Sequence, residues 1–158
     1  MNYLSITRAL LLTAITVTSA YAQNVSVQGA WARATVQGQK ASGAFMTLTA
    51  KADTRLVGVS TSVAGVAEVH EMKMDNNVMQ MRALPDGLVL PAGKAVALQP
   101  GGYHVMLMDL KLPLQKDTTI AMTLLFKDAK GAESSMDIKV PVSKVAPADG
   151  KKHQHGEH

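Results

Sequence analysis

The stretch VHEMKMDNNVMQMRAL, residues 69 to 84, decides the fold. Two runs in which apolar or long side chains alternate with charged or polar ones flank Asp75-Asn76-Asn77, and asparagine is the non-glycine residue that best tolerates the left-handed backbone of a tight turn. Alternation of period two is the mark of a strand, so the stretch predicts a β-hairpin. A two-residue loop at Asn76-Asn77 would pair Asp75 with Val78, Met74 with Met79, Met72 with Met81 and His70 with Ala83. His70, Met72, Met74, Met79 and Met81 would then share one face of the ribbon, with His70 diagonal to Met81. A three-residue loop would shift the register by one and scatter them.

The same grammar runs through the rest of the chain. Short runs rich in Val, Leu, Thr and Met are broken at Pro85-Asp86-Gly87, Pro91-Ala92-Gly93, Pro100-Gly101-Gly102 and Asp128-Ala129-Lys130-Gly131. Strands are predicted at Val25 to Ala34, Gly43 to Ala50, Thr54 to Thr61, Ala67 to Met74, Val78 to Ala83, Lys94 to Leu98, Tyr103 to Leu110, Thr118 to Lys127 and Glu133 to Val140. No segment carries helical periodicity over three turns, and no repeat is visible. The expected fold is therefore all-β, a sandwich or barrel of antiparallel strands. Trp31, the single tryptophan, is expected in the core on the first strand.

The ends read differently. Arg8, the apolar run from Ala9 to Val17 and Ala20-Tyr21-Ala22 form the pattern of a secretory signal with a small-x-small cleavage site, so residues 1 to 22 are expected to be removed on export. An apolar run this short is below the roughly 20 residues of a spanning helix. Residues 23 to 145 form the expected domain, and residues 146 to 158, rich in Lys, Ala, Pro, Gly and His, bury too little to order themselves and are expected to be a flexible tail. The mature chain would carry 15 basic and 12 acidic residues spread along its length, which gives nucleic-acid binding little support. Cysteine is absent, so disulfides, thiolate chemistry and a blue-copper site are all excluded.

A second stretch, GGYHVMLMDL at residues 101 to 110, places His104, Met106 and Met108 at alternate positions and hence on one strand face. The competing reading is that these methionines simply fill a core. However, six of the nine methionines beyond Met1 fall within 72 to 81 and 106 to 108, on the same faces as the two histidines of the folded region. That clustering points to metal ligation. Thioethers are soft and neutral and select Cu(I), whereas Zn(II) and Mg(II) want thiolates or carboxylates. Glu71 and Asp109 turn away by strand parity. Glu68 shares the face of His70 but is expected further from the methionines. A site of two histidines and two methionines for Cu(I) fits best.

With AWARAT, SGAFMTLTA, VHEMKM, VMQMR, LPAG and PGGYHVMLM in place, the chain from Ala30 to Val140 resembles the periplasmic copper chaperone family called PCuAC. The motif reads His70, ten residues, Met81, 22 residues, His104, one residue, Met106. The resemblance implies a cupredoxin-like Greek-key β-barrel and Cu(I) held by His70, Met81, His104 and Met106. It implies delivery of copper to respiratory oxidase centres, alongside an oxidase subunit or a Sco-type copper carrier as partner. Met72, Met74 and Met108 remain unranked as further donors. In the tail His153, His155 and His158 offer imidazoles, which suit Cu(II) at a second site.

A periplasmic Cu(I) metallochaperone for cytochrome oxidase assembly is the function this sequence supports. Copper storage or tolerance is the nearest alternative, and a metal-free β-sandwich interaction module is the more distant one. An enzyme is not expected: Gln23, not a histidine, would open the mature chain, and no nucleophile elbow or zinc-hydrolase motif occurs.

Overall fold

The structure is a computed structural model that describes residues 24–148. The leader expected at 1–22 and the tail histidines His153, His155 and His158 lie outside the described residues. Ten strands follow one another: β1 Val25–Arg33, β2 Ala41–Ala50, β3 Thr54–Ser60, β4 Ala64–Asp75, β5 Val78–Ala83, β6 Leu88–Leu90, β7 Ala95–Leu98, β8 His104–Leu110, β9 Thr119–Asp128 and β10 Glu133–Ser143. The described residues contain no helix, so none long and apolar enough to cross a membrane. The all-β expectation is met as an open β-sandwich.

Neighbouring strands run in the order β5-β4-β8-β2-β1-β10-β9-β3-β6, with β7 added to β2. All pairings are antiparallel except β1 with β10. β8 and β7 share one edge of β2, β8 along Ala41–Ala44 and β7 along Met46–Thr49. The inner faces of the two halves supply the core, in which Leu48, Leu56, Leu90, Val105, Leu107, Leu124 and Val140 are closed to solvent. Removing such apolar surface from water contributes about 25 cal/mol per Å², which offsets the ordering of the strands.

Two differences from the sequence reading have local causes. β6 was not anticipated: its three residues lie between two turn signals, and only pairing with β3 (Thr54 with Leu90, Leu56 with Leu88) makes them a strand. β10 runs past Pro141 to Ser143, because Val142 donates its N–H to the Thr118 carbonyl and then pairs with Ala32 of β1. Trp31 is a buried core residue on β1, as expected, although it lies outside the main cluster between the two halves. It pairs with Phe45 on the opposite face of the β1–β2 ribbon from Ala32 and Ala44, and the two rings pack at a tilt of 35° with centroids 4.7 Å apart.

Candidate metal centre

The β4–β5 hairpin closes as the two-residue loop demands. Asn76 and Asn77 take φ values of 48° and 63°, both left-handed, and the pairs are Asp75 with Val78, Met74 with Met79, Met72 with Met81 and His70 with Ala83. Paired residues of an antiparallel ladder point to the same side, so the thioethers and His70 share one face. Glu71 and Arg82 pair on the other face, where Arg82 Nε donates to the Glu71 carboxylate at 2.6 Å.

The next pairing, β4 with β8, could not be read from either stretch alone. It sets His70 directly opposite His104 and Glu68 directly opposite Met106. The imidazole centroids lie 5.8 Å apart. Both histidines are only 7% exposed although they project from the outer face of the sheet, away from Val69 and Val105. Glu68, expected further from the methionines, is thus the cross-strand neighbour of one: strand parity fixed its face but not the register of β4 against β8.

The ring nitrogens are committed asymmetrically. His104 Nδ1 lies 3.1 Å from the Gly102 carbonyl, an acceptor only, so Nδ1 carries the proton and donates. The Nε2 lone pair is then left facing the Met81 sulfur at 3.2 Å. Two electron-pair donors that face one another across so short a gap, with no proton between them, gain nothing from each other and much from a shared cation. For His70 the roles of the nitrogens are exchanged. Nε2 lies 3.0 Å from Glu68 Oε2 and donates to that carboxylate, while Nδ1 is buried and has no hydrogen-bond partner among the described residues. A buried unpaired acceptor costs about 1–3 kcal/mol, so its retention calls for a ligand. A carboxylate or carbonyl holding the far nitrogen of an imidazole is how metal-binding histidines are oriented.

A hollow of about 420 Å³ opens beside these groups, walled by His104, Met106, Met81, Met72, Phe45 and the Pro100-Gly101 turn among others. Met106 and Met72 are half-buried, and Met81 on the edge strand is 48% exposed. His70 adjoins the hollow through His104 rather than lining it. Met74 lies further out on the hairpin. Met108, opposite Val66 and Ala41, lies further along β8. The structure therefore brings His70, His104 and Met81 together, sets Met106 on the same wall, and places Met72, but not Met74 or Met108, at the hollow.

The sequence reading missed Phe45 as a wall of the hollow. Its ring lies over Gly43: a Cβ on that glycine would stand 2.8 Å from Phe45 Cζ. Arg33 caps the same ring at 5.6 Å from its centroid. The described residues gather no group of three or more His, Cys, Asp and Glu side chains. The side chains gathered at this place are thus two imidazoles and the thioethers of Met72, Met81 and Met106, and nitrogen and thioether donors as a set favour a soft monovalent cation.

Against known proteins, residues 25–142 match the family model described as "Putative lipoprotein LpqE-like". The chain belongs to the LpqE-like family. It is 34% identical over 128 residues to "Putative lipoprotein Lxx21020" of Leifsonia xyli subsp. xyli, covering 81% of this chain and 75% of that protein. Among solved structures it is similar to the Cu(I) form of DR1885 from Deinococcus radiodurans, with 33% identity, a TM-score of 0.60, and coverage of 80% of this chain and 83% of that one. It is also similar to the copper-bound PCuAC domain of PmoF2, with 25% identity, a TM-score of 0.57, and coverage of 78% and 94%. The structural neighbours of this LpqE-like chain thus include a copper-bound PCuAC domain and a Cu(I)-bound protein, in line with the resemblance drawn from the motif residues.

Proposed function

We propose that the protein is an exported Cu(I) carrier whose metal is held by His70, Met81, His104 and Met106. The observation that carries this reading is the pair of uncommitted imidazole nitrogens, His104 Nε2 against the Met81 sulfur and buried His70 Nδ1, each with its opposite nitrogen already held. Neutral donors stabilise the reduced ion, and an edge-strand methionine provides one ligand that an acceptor can displace without disturbing the core. Such a site suits transfer by ligand exchange. The copper-bound neighbours support the metal, and the resemblance to PCuAC chaperones supports delivery to respiratory oxidase copper centres with an oxidase subunit or Sco-type carrier as partner.

Residues 1–22 act as the export leader, 23–145 as the copper domain, and 146–158 as a tail in which His153, His155 and His158 take Cu(II). The family's lipoprotein description does not extend to a cysteine-linked lipid at any of these residues, since all 158 lack cysteine. The test is a competition titration of the mature protein with a chromophoric Cu(I) chelator, followed by X-ray absorption. One tightly bound equivalent with mixed nitrogen and sulfur neighbours is expected. A first shell of nitrogen and oxygen alone would overturn the thioether assignment.

A further inference from the structure

The outer part of the hairpin is not explained by the site just described. Beyond Met72 and Met81 the ribbon carries one more thioether pair, Met74 opposite Met79, which are 58% and 46% exposed. Methionine ordinarily serves to fill irregular gaps in cores, yet these two fill none. All six residues of β5 are exposed, and β5 pairs only with β4. The reverse face carries Glu71 with Arg82 and Lys73 with Gln80, so the ribbon segregates thioethers from charges although both of its faces meet solvent.

Register sharpens the point. In a hairpin with a two-residue loop, the pair next to the turn exchanges both backbone hydrogen bonds, and pairs then alternate with a non-hydrogen-bonded type whose side chains stand closer. Asp75 with Val78 is the first kind. Met74 with Met79 and Met72 with Met81 are therefore both of the close type, with Cβ atoms about 4.5–5.5 Å apart. One rung lies about 6.6 Å from the next, a gap that two flexible thioethers leaning towards each other can close. Met81 at the inner rung in turn touches His104.

We propose that Met74 and Met79 form a second, weaker site for Cu(I), an outer rung from which the ion passes to Met72 and Met81 and then to His104. This rests on the Cu(I) site proposed above and adds a route to it. Each step exchanges one uncharged donor for another, thioether for thioether and at the end thioether for the His104 Nε2 lone pair, around an ion that stays monovalent, so no electron or proton moves. Two thioethers without an imidazole hold the ion less tightly than the inner set, which gives the route its direction.

The test uses the mature protein with methionine labelled at the ε-methyl carbon, titrated anaerobically with Cu(I) and followed by NMR. The first equivalent is expected to shift the Met81 and Met106 methyls, and the second those of Met74 and Met79. In a Met74→Leu/Met79→Leu variant, which keeps the apolar bulk, the second step disappears while the first is unchanged. Loading from a Cu(I)–chelator complex in stopped flow slows by about tenfold, because a local handover is replaced by a bimolecular one. If Met81 and Met106 respond but Met74 and Met79 do not, the outer rung is refuted and the inner site stands. If none responds, both fall. Shifts at Met74 and Met79 that follow protein concentration without copper would make this face a self-association surface, and overturn the proposal.

Discussion

Glu68→Gln removes one charge and almost no volume, and it isolates what the carboxylate does for His70. With glutamate, Oε2 at 3.0 Å can only accept, so the proton sits on Nε2 and the Nδ1 lone pair is free. A glutamine can turn either its oxygen or its amide nitrogen towards Nε2, so the preference for that tautomer is weakened. Loss of a partner that orients a ligand histidine typically costs 10–100-fold in metal affinity, about 1.4–2.7 kcal/mol. Fold stability should change far less. The Glu68 side chain is 47% exposed, and a hydrogen bond so open to water contributes about 1 kcal/mol or less. Chelator competition would read the affinity, thermal unfolding the stability, and nitrogen-resolved NMR of the His70 ring the site of the proton. Cu(I) affinity within about twofold of wild type, with the proton still on Nε2, would refute the argument that the carboxylate sets the ligand nitrogen.

Three further outcomes follow from the same geometry. Leu107→Ala and Met106→Ala alter adjacent residues on opposite faces of β8: the first, fully buried, should cost about 2–5 kcal/mol in chemical denaturation and leave Cu(I) affinity intact, while the second, half-buried, should do the reverse. Gly43→Ala places a methyl 2.8 Å from Phe45 Cζ and must push the ring, so Trp31 emission should change and Cu(I) affinity fall together. Truncation after Val145 should leave Cu(I) binding unchanged and weaken Cu(II) binding, both read by isothermal titration, because it removes His153, His155 and His158 and no strand.

The sequence by itself determined what strand periodicity and local turn chemistry can determine. Alternation assigned His104, Met106 and Met108 to one face and Val105 and Leu107 to the other, and two asparagines that accept left-handed backbone fixed the register of β4 on β5 pair by pair. Donor softness narrowed the metal before any contact was known. Neither source of information reaches beyond a hairpin. Which strand lies on the far side of β4 is decided by long-range packing of the two halves of the sandwich, and that pairing alone puts His70 opposite His104 and Glu68 opposite Met106. The same holds for β6, three residues that become a strand only against β3, and for Phe45, whose ring reaches the hollow because Gly43 leaves the space. The commitment of one nitrogen on each imidazole also belongs to the tertiary structure, since it depends on where a turn carbonyl and a carboxylate come to rest once the sheet has formed.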